Sequence, residues 1–230
     1  MADYKIIMSG NNGSIKLPDS PEPQTNFVSH TFTNCGKTGR YGPSLSQCQS
    51  QYSGAEILLG DYNYSVDQGI QSFIIPVDGV YTIKAAGARG GFNSEYGDLR
   101  TDAGRGAVIS GDFNLDKGSV INIVVGQVGA NGYGNSNTGA SGGGGSFVYT
   151  GYPSGSGLLL AAGGGASVNA KNYPDSLRIR DANTGTEGKD NRSSGGSANY
   201  AAGINGAPGT TVNGNYMGGA GAGWLGKIQV

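Results

Sequence analysis

Glycine decides what this chain can fold into. The run Gly139-Ala140-Ser141-Gly142-Gly143-Gly144-Gly145-Ser146-Phe147-Val148-Tyr149 empties into an apolar, β-prone segment. Gly157-Leu158-Leu159-Leu160-Ala161-Ala162-Gly163-Gly164-Gly165 repeats the event in mirror order. Glycine ordinarily weakens regular structure, because it loses the most backbone entropy on folding. Here it supplies 45 of 230 residues, against a usual share of about 7 %. Either this half of the chain is a flexible linker, or glycine is itself the building material. Leu158–Leu160 and Phe147–Tyr149 favour the second, since a linker has no use for buried-type side chains.

The spacing sharpens that choice. Gly126, Gly129 and Gly132 stand three apart, as do Gly139, Gly142 and Gly145, and Gly203, Gly206 and Gly209. Three residues per turn is the period of the polyproline II helix, which has no internal hydrogen bonds. Its backbone groups must therefore be satisfied by neighbours, and residues without Cβ let neighbours approach closely enough. Collagen needs long unbroken Gly-X-Y and much proline, whereas this chain has 8 prolines and short runs. The expectation is a bundle of short glycine helices within one chain, over 126–230.

Residues 27–125 read as an ordinary β region. Phe27–Thr33 alternates and is rich in β-formers. Gln71–Val77 and Val80–Ala86, separated by Asp78-Gly79, read as a hairpin. Ala107–Phe113 and Ser119–Val125 read as a second pair joined through Leu115–Gly118. Short strands with regular turns point to a sandwich. One helix is expected over Ser44–Tyr52, punctuated by Pro43 before it and Gly54 after it. Residues 1–26 read as a separate piece. It comprises a small hairpin from Tyr4–Met8 and Ile15–Leu17, then a stiff linker with Pro18, Pro21 and Pro23. An attachment peptide and a frayed terminus are both open readings of it.

Composition narrows the function classes. The net charge is −1 and only 13 % of residues are charged, which argues against a nucleic-acid partner. The polarity comes instead from Asn, Ser, Thr and Tyr, which suits extracellular contact. No apolar stretch approaches the ~18 residues of a membrane span, and Met1–Met8 carries no secretory leader pattern. His30 lies in an alternating strand with no nucleophile or orienting acid nominated beside it, so a structural role is expected. Asp175, Asp181, Glu187 and Asp190 lack the spacing of a calcium loop. Gly221-Ala222-Gly223-Trp224-Leu225-Gly226 matches a dinucleotide fingerprint in form only, without the helix and distal acid that the motif needs. No catalytic, cofactor-binding or metal-binding residue is nominated, and no enzyme is expected.

One stretch is recognisable. Phe32-Thr33-Asn34-Cys35-Gly36-Lys37-Thr38-Gly39-Arg40-Tyr41-Gly42-Pro43-Ser44-Leu45-Ser46-Gln47-Cys48 resembles the opening of the glycine-rich extracellular domain of the anaplastic lymphoma kinase and leukocyte tyrosine kinase receptors. The resemblance continues in order through Tyr81–Gly91, Val124–Gly129, Gly142–Tyr149 and Leu159–Gly165, spanning about residues 31–226. It implies an all-β fold, a tumour-necrosis-factor-like (jelly-roll type) sandwich fused to polyproline II-type glycine helices as one unit over 27–230. It also supports a disulfide between Cys35 and Cys48. Oxidised, the bond would stabilise by about 3 kcal/mol for a loop of this size; two reduced thiols are the alternative. Similar domains occur in bacterial and bacteriophage proteins, and fold does not carry function.

The functional expectation rests on surface chemistry. Tyr133, Tyr152, Tyr173, Tyr200, Tyr216 and Trp224 lie in or beside the glycine-rich half, near Asn135, Asn137, Asn199 and Asn215. Rigid rings among small amides make adaptable binding surfaces; capping of the glycine bundle is the competing use. The expectation is a bacteriophage structural protein, a tail- or capsid-attached fibre or adhesin. It would join other virion subunits through residues 1–26, form a homo-oligomer and meet a host surface glycan or protein. A secreted or cell-surface ligand-binding module is the alternative.

Overall fold

The computed structural model describes residues 6–10, 29–39, 41–54, 64–92, 103–132, 140–151, 157–167 and 181–185. These residues form antiparallel β-structure with one short helix. The strands are β1 (Ile6–Gly10), β2 (Ser29–Phe32), β3 (Tyr64–Asp67), β4 (Ile70–Ile74), β5 (Gly79–Ala86), β6 (Val108–Leu115), β7 (Val120–Val124), β8 (Ser146–Thr150) and β9 (Leu158–Ala162); α1 is Leu45–Gln51. A four-stranded sheet has the order β2-β1-β5-β6, and a five-stranded sheet has the order β3-β4-β7-β8-β9.

The core lies between the sheets. Along β5, Tyr81, Ile83 and Ala85 are buried while Val80, Thr82 and Lys84 are exposed, as a period-two strand with one covered face requires. From the other sheet Phe73, Ile121, Ile123 and Val148 enter the same cluster. Helix α1 begins where its sequence signals it. Ser44 is the N-cap, and Ser44 and Gln47 bond reciprocally in a capping box.

Three placements differ from the sequence reading. The two expected hairpins are arches between sheets. Strand β4 pairs with β3 and β7, while β5 pairs with β1 and β6. Pro76 has no amide hydrogen for a ladder, and the chain crosses over at that point. The crossings lie side by side: Ile75 N–H donates to Ser119 O at 2.9 Å, Gly118 N–H to Ile75 O at 2.8 Å, and Lys117 N–H to Asp78 Oδ1 at 2.6 Å. The true two-residue hairpin joins β3 and β4 through Gln68 (φ 47°) and Gly69 (φ 83°), both positive, as a type I′ turn demands. Finally, Ile6–Gly10 pairs with both β2 and β5 and Met8 is fully buried. This part of 1–26 is built into the sheet, while Ile15–Leu17 and the proline linker lie outside the described residues.

Candidate functional site

Beyond the strands, the chain continues into glycine-rich segments at one end of the sandwich. Strands β5, β7 and β9 run out into 87–92, 126–132 and 163–167, and 103–107 and 140–145 run into β6 and β8. The strand pairings persist at first. Gly87 and Gly90 N–H donate to Ala107 O and Gly104 O, Gly144 N–H to Gln127 O, and Gly143 N–H to Gly165 O. Then bonds appear that no strand pairing supplies, linking one sheet's extensions to the other's. Ala88 and Gly91 N–H donate to Gly144 O and Ser141 O, Gly129 and Gly132 N–H donate to Arg89 O and Phe92 O, and Gly165 N–H donates to Ala88 O.

Segment 87–92 sits at the centre, and its bonding repeats every third residue. Residues 87 and 90 face 103–107, residues 88 and 91 face 140–145, and residues 89 and 92 face 126–132. The glycines are there because backbone stands where a side chain would be. A Cβ on Gly126 or Gly129 would overlap Gly144 O or Ser141 O; on Gly143, Ala88 O; on Gly165, Gly104 O. Gly126 and Gly129, three apart, thus face the same neighbour, which is what their spacing signalled. The lattice also reaches earlier than 126, since 87–92 and 103–107 belong to it. Gly87 and Gly90, again three apart, were the available signal.

A single hydroxyl pins the place where the sheets merge. Ser146, fully buried, donates from Oγ to Ala86 O at 2.8 Å and accepts from Gly126 N–H at 3.0 Å. At the distal end, the described stretches finish at Phe92, Gly132 and Ser167 and begin again at Ala103, Ala140 and Asp181. Bonds tie these ends together: Gly132 to Phe92, Gly104 to Ala166 at 2.9 Å, and Ala182 N–H to Arg105 O at 2.8 Å. Asp181 accepts from Arg105 N–H at 2.6 Å and lies 3.5 Å from its Nε.

A second built region is a disulfide joint against the β3–β4 hairpin. Cys35 and Cys48 are bonded, with Cα atoms 4.9 Å apart, joining the loop after β2 to α1. Cys35 (φ 50°) and Gly36 (φ 72°) turn the chain through the left-handed region. The Asn34 side-chain amide and Lys37 N–H close that turn, on Lys37 O and Asn34 O respectively. Farther along, Gly42 packs so closely on Gly69 that a Cβ on either would overlap the other's backbone. Gln127 Nε2 donates to Tyr41 O at 2.9 Å, tying this loop to the lattice.

Gln71, fully buried on β4, is the polar hub of the joint. Its Oε1 accepts from Tyr52 and Tyr64 hydroxyls, each at 2.8 Å, and its Nε2 donates to Thr33 O at 2.7 Å. Thr33 N–H donates to the Tyr52 hydroxyl at 2.7 Å. Burial raises the Tyr52 and Tyr64 hydroxyls above the ordinary tyrosine range, so both stay neutral donors. Each polar atom of this network has a partner, which is what makes a buried amide tolerable. Nearby, an open, shallow depression of about 420 Å³ is lined by Cys35, Ser46, Gln47, Ser50 and Gln51.

Among the nominated residues, the Cys35–Cys48 pairing is present. Tyr133, Tyr152, Tyr173, Tyr200, Tyr216 and Trp224 all lie outside the described residues. Tyr149, which follows the glycine run closely, is 2 % exposed and offers no surface. Among the described residues no three His, Cys, Asp or Glu gather into a metal site. Gln71 and Ser146 were not nominated. Their signal was a lone polar residue at an inward position of an apolar strand.

Comparison with known proteins supports the resemblance over about half of the chain. No family model matches the chain. A stretch of 109 residues, 47 % of the chain, is 32 % identical to the mouse leukocyte tyrosine kinase receptor. That stretch is 12 % of the receptor's own length, so the relationship is a distant one at the level of a single domain.

Proposed function

We propose that this protein is a non-enzymatic binding module whose glycine lattice is a rigid base for a contact surface at its distal end. The observation that carries the reading is the convergence of the described chain ends there: Phe92 with Gly132, and Gly104 with Ala166. The described residues that flank 93–102, 133–139 and 168–180 in the sequence lie at that end. Tyr133 and Tyr173 fall in two of these stretches, each among asparagines, the composition of an adaptable contact surface. Fixing the bases of such stretches lowers the ordering cost of binding. In this reading the five lattice segments are polyproline II-type helices, and the sandwich is of the tumour-necrosis-factor-like, jelly-roll type.

Further, we propose that the module works on a bacteriophage particle, as a tail- or capsid-attached fibre or adhesin that meets a host surface glycan or protein, assembled as a homo-oligomer. Attachment to other virion subunits falls to the Pro18–Pro23 part of residues 1–26, because Ile6–Gly10 is committed to the sheet. A receptor relative and a closed disulfide indicate an extracellular or secreted setting. This favours the second reading, a secreted or cell-surface ligand-binding module. Immunogold labelling of purified particles separates the two: label on particles is expected, and its absence removes the virion placement. Binding of the isolated protein to host cells tests the contact surface independently. Tyr133→Ala with Tyr173→Ala should weaken it at least tenfold, and unchanged binding would move the surface elsewhere.

A further inference from the structure

The described structure holds one buried basic group that no role above uses. His30 on β2 is 9 % exposed and stands in register with Met8 of β1. Its ring meets Phe32 edge to face at 4.6 Å and Tyr52, the C-cap of α1, at 4.8 Å. Its Nε2 is buried with no hydrogen-bond partner. An imidazolium at this place would hold a buried N–H⁺ with no hydrogen-bond acceptor, so the neutral form is the one the packing accepts. The Tyr52 ring against which it packs also carries the hydroxyl bonded to Thr33 and Gln71. His30 therefore touches the hinge between β2, α1 and the β3–β4 hairpin.

We propose that His30 is an acid-sensitive latch: neutral, it locks β2 against the C-terminal end of α1, and proton uptake loosens that joint. The groups facing it from the packed elements do not offset this. Tyr52 on α1, and Tyr64 beyond it on β3, are both held neutral by burial. Met8 on β1 carries no charge, and no described Asp, Glu, Lys or Arg contributes to the shift. Burial alone holds the His30 imidazole below its usual 6.5. The opened joint consequently binds the proton first. The latch's stabilisation is complete above about pH 6.5 and is lost as pH falls from there toward the folded value.

The chain contains 1 histidine, so a single imidazole signal reports the latch. Proton NMR of the whole protein should give a midpoint below 6.5. Amide exchange, corrected for intrinsic rate, should show Thr33 losing up to about thirtyfold protection between pH 7.5 and 5.0, the full value if folded His30 stays neutral throughout. The Ile83 amide should lose much less. In His30→Phe, which keeps an edge-to-face ring, the Thr33 loss should vanish. A midpoint at or above 6.5, or Thr33 protection unchanged down to pH 5.0, overturns the proposal. Both of these measurements use the unmodified chain, so they decide the matter even if the variant does not fold.

Discussion

The two ends of this molecule solve one problem in opposite ways. In the sandwich, side chains such as Tyr81, Ile83, Phe73 and Ile121 fill the space between the sheets, which ordinarily stand about 10 Å apart. Hydrophobic burial holds that end, and backbone bonds run only within each sheet. In the lattice the same strands continue with glycine wherever one backbone stands in the place of another's side chain. The layers close to hydrogen-bonding distance, and bonds run between sheets as well as within them. Side chains hold backbones apart and make them cohere through contact with water excluded. Glycine removes the spacer, so backbone amides and carbonyls become the cohesive groups. Ser146 marks the changeover as the last buried side chain to bridge both systems.

This contrast is easiest to break with methyl groups. Gly165→Ala or Gly129→Ala places a Cβ on the carbonyl of Gly104 or Ser141, backbone that has no rotamer through which to yield. Each should cost more than about 4 kcal/mol, in practice loss of the native state in urea or thermal unfolding. Reducing the Cys35–Cys48 bond, or replacing both cysteines by alanine, should cost about 3 kcal/mol by urea midpoint. A midpoint that does not move would show that the Gln71 network holds the joint alone. Ser146→Ala leaves Ala86 C=O and Gly126 N–H unpaired at the changeover and should cost about 1–3 kcal/mol. Gly79→Ala is the control, since the space around it is open and its φ is not positive. It should stay within about 0.5 kcal/mol of the parent. Equal effects at positions 79 and 165 would mean that glycine content, rather than close approach, matters.

Local features were legible in the sequence and long-range ones were not. Helix α1 could be read from Pro43 before it and Gly54 after it, because helix ends are settled within about one turn; the structure adds the Ser44–Gln47 capping box. The strands at 29–32, 120–124, 146–150 and 158–162 follow their β-prone composition. Asp78-Gly79 marked a bend but gave a wrong partner, since nothing local says which sheet the chain enters after Pro76. The β3–β4 hairpin was missed because β3 is 4 residues long and turns on Gln-Gly, a weak signal beside Asn-Gly. The insertion of β1 between β2 and β5 depends on pairings that no local pattern records. Period three identified a close-approach face at Gly126 and Gly129, because a Cβ clash recurs when the same neighbour is faced again. The buried roles of Gln71, His30 and Ser146 are set by residues from other strands or from α1, so only the folded chain brings them to light.

If the glycine segments are a hydrogen-bonded scaffold as firm as the sandwich, residue-resolved amide hydrogen exchange will show it. The amides of Ala88, Gly91, Gly129, Gly143 and Gly165, each donating to a backbone carbonyl, should be protected to within about tenfold of Ile83 and Ile121. Exchange of these five at the rate of an unstructured chain, with Ile83 and Ile121 still protected, would mean that the glycine segments are no scaffold.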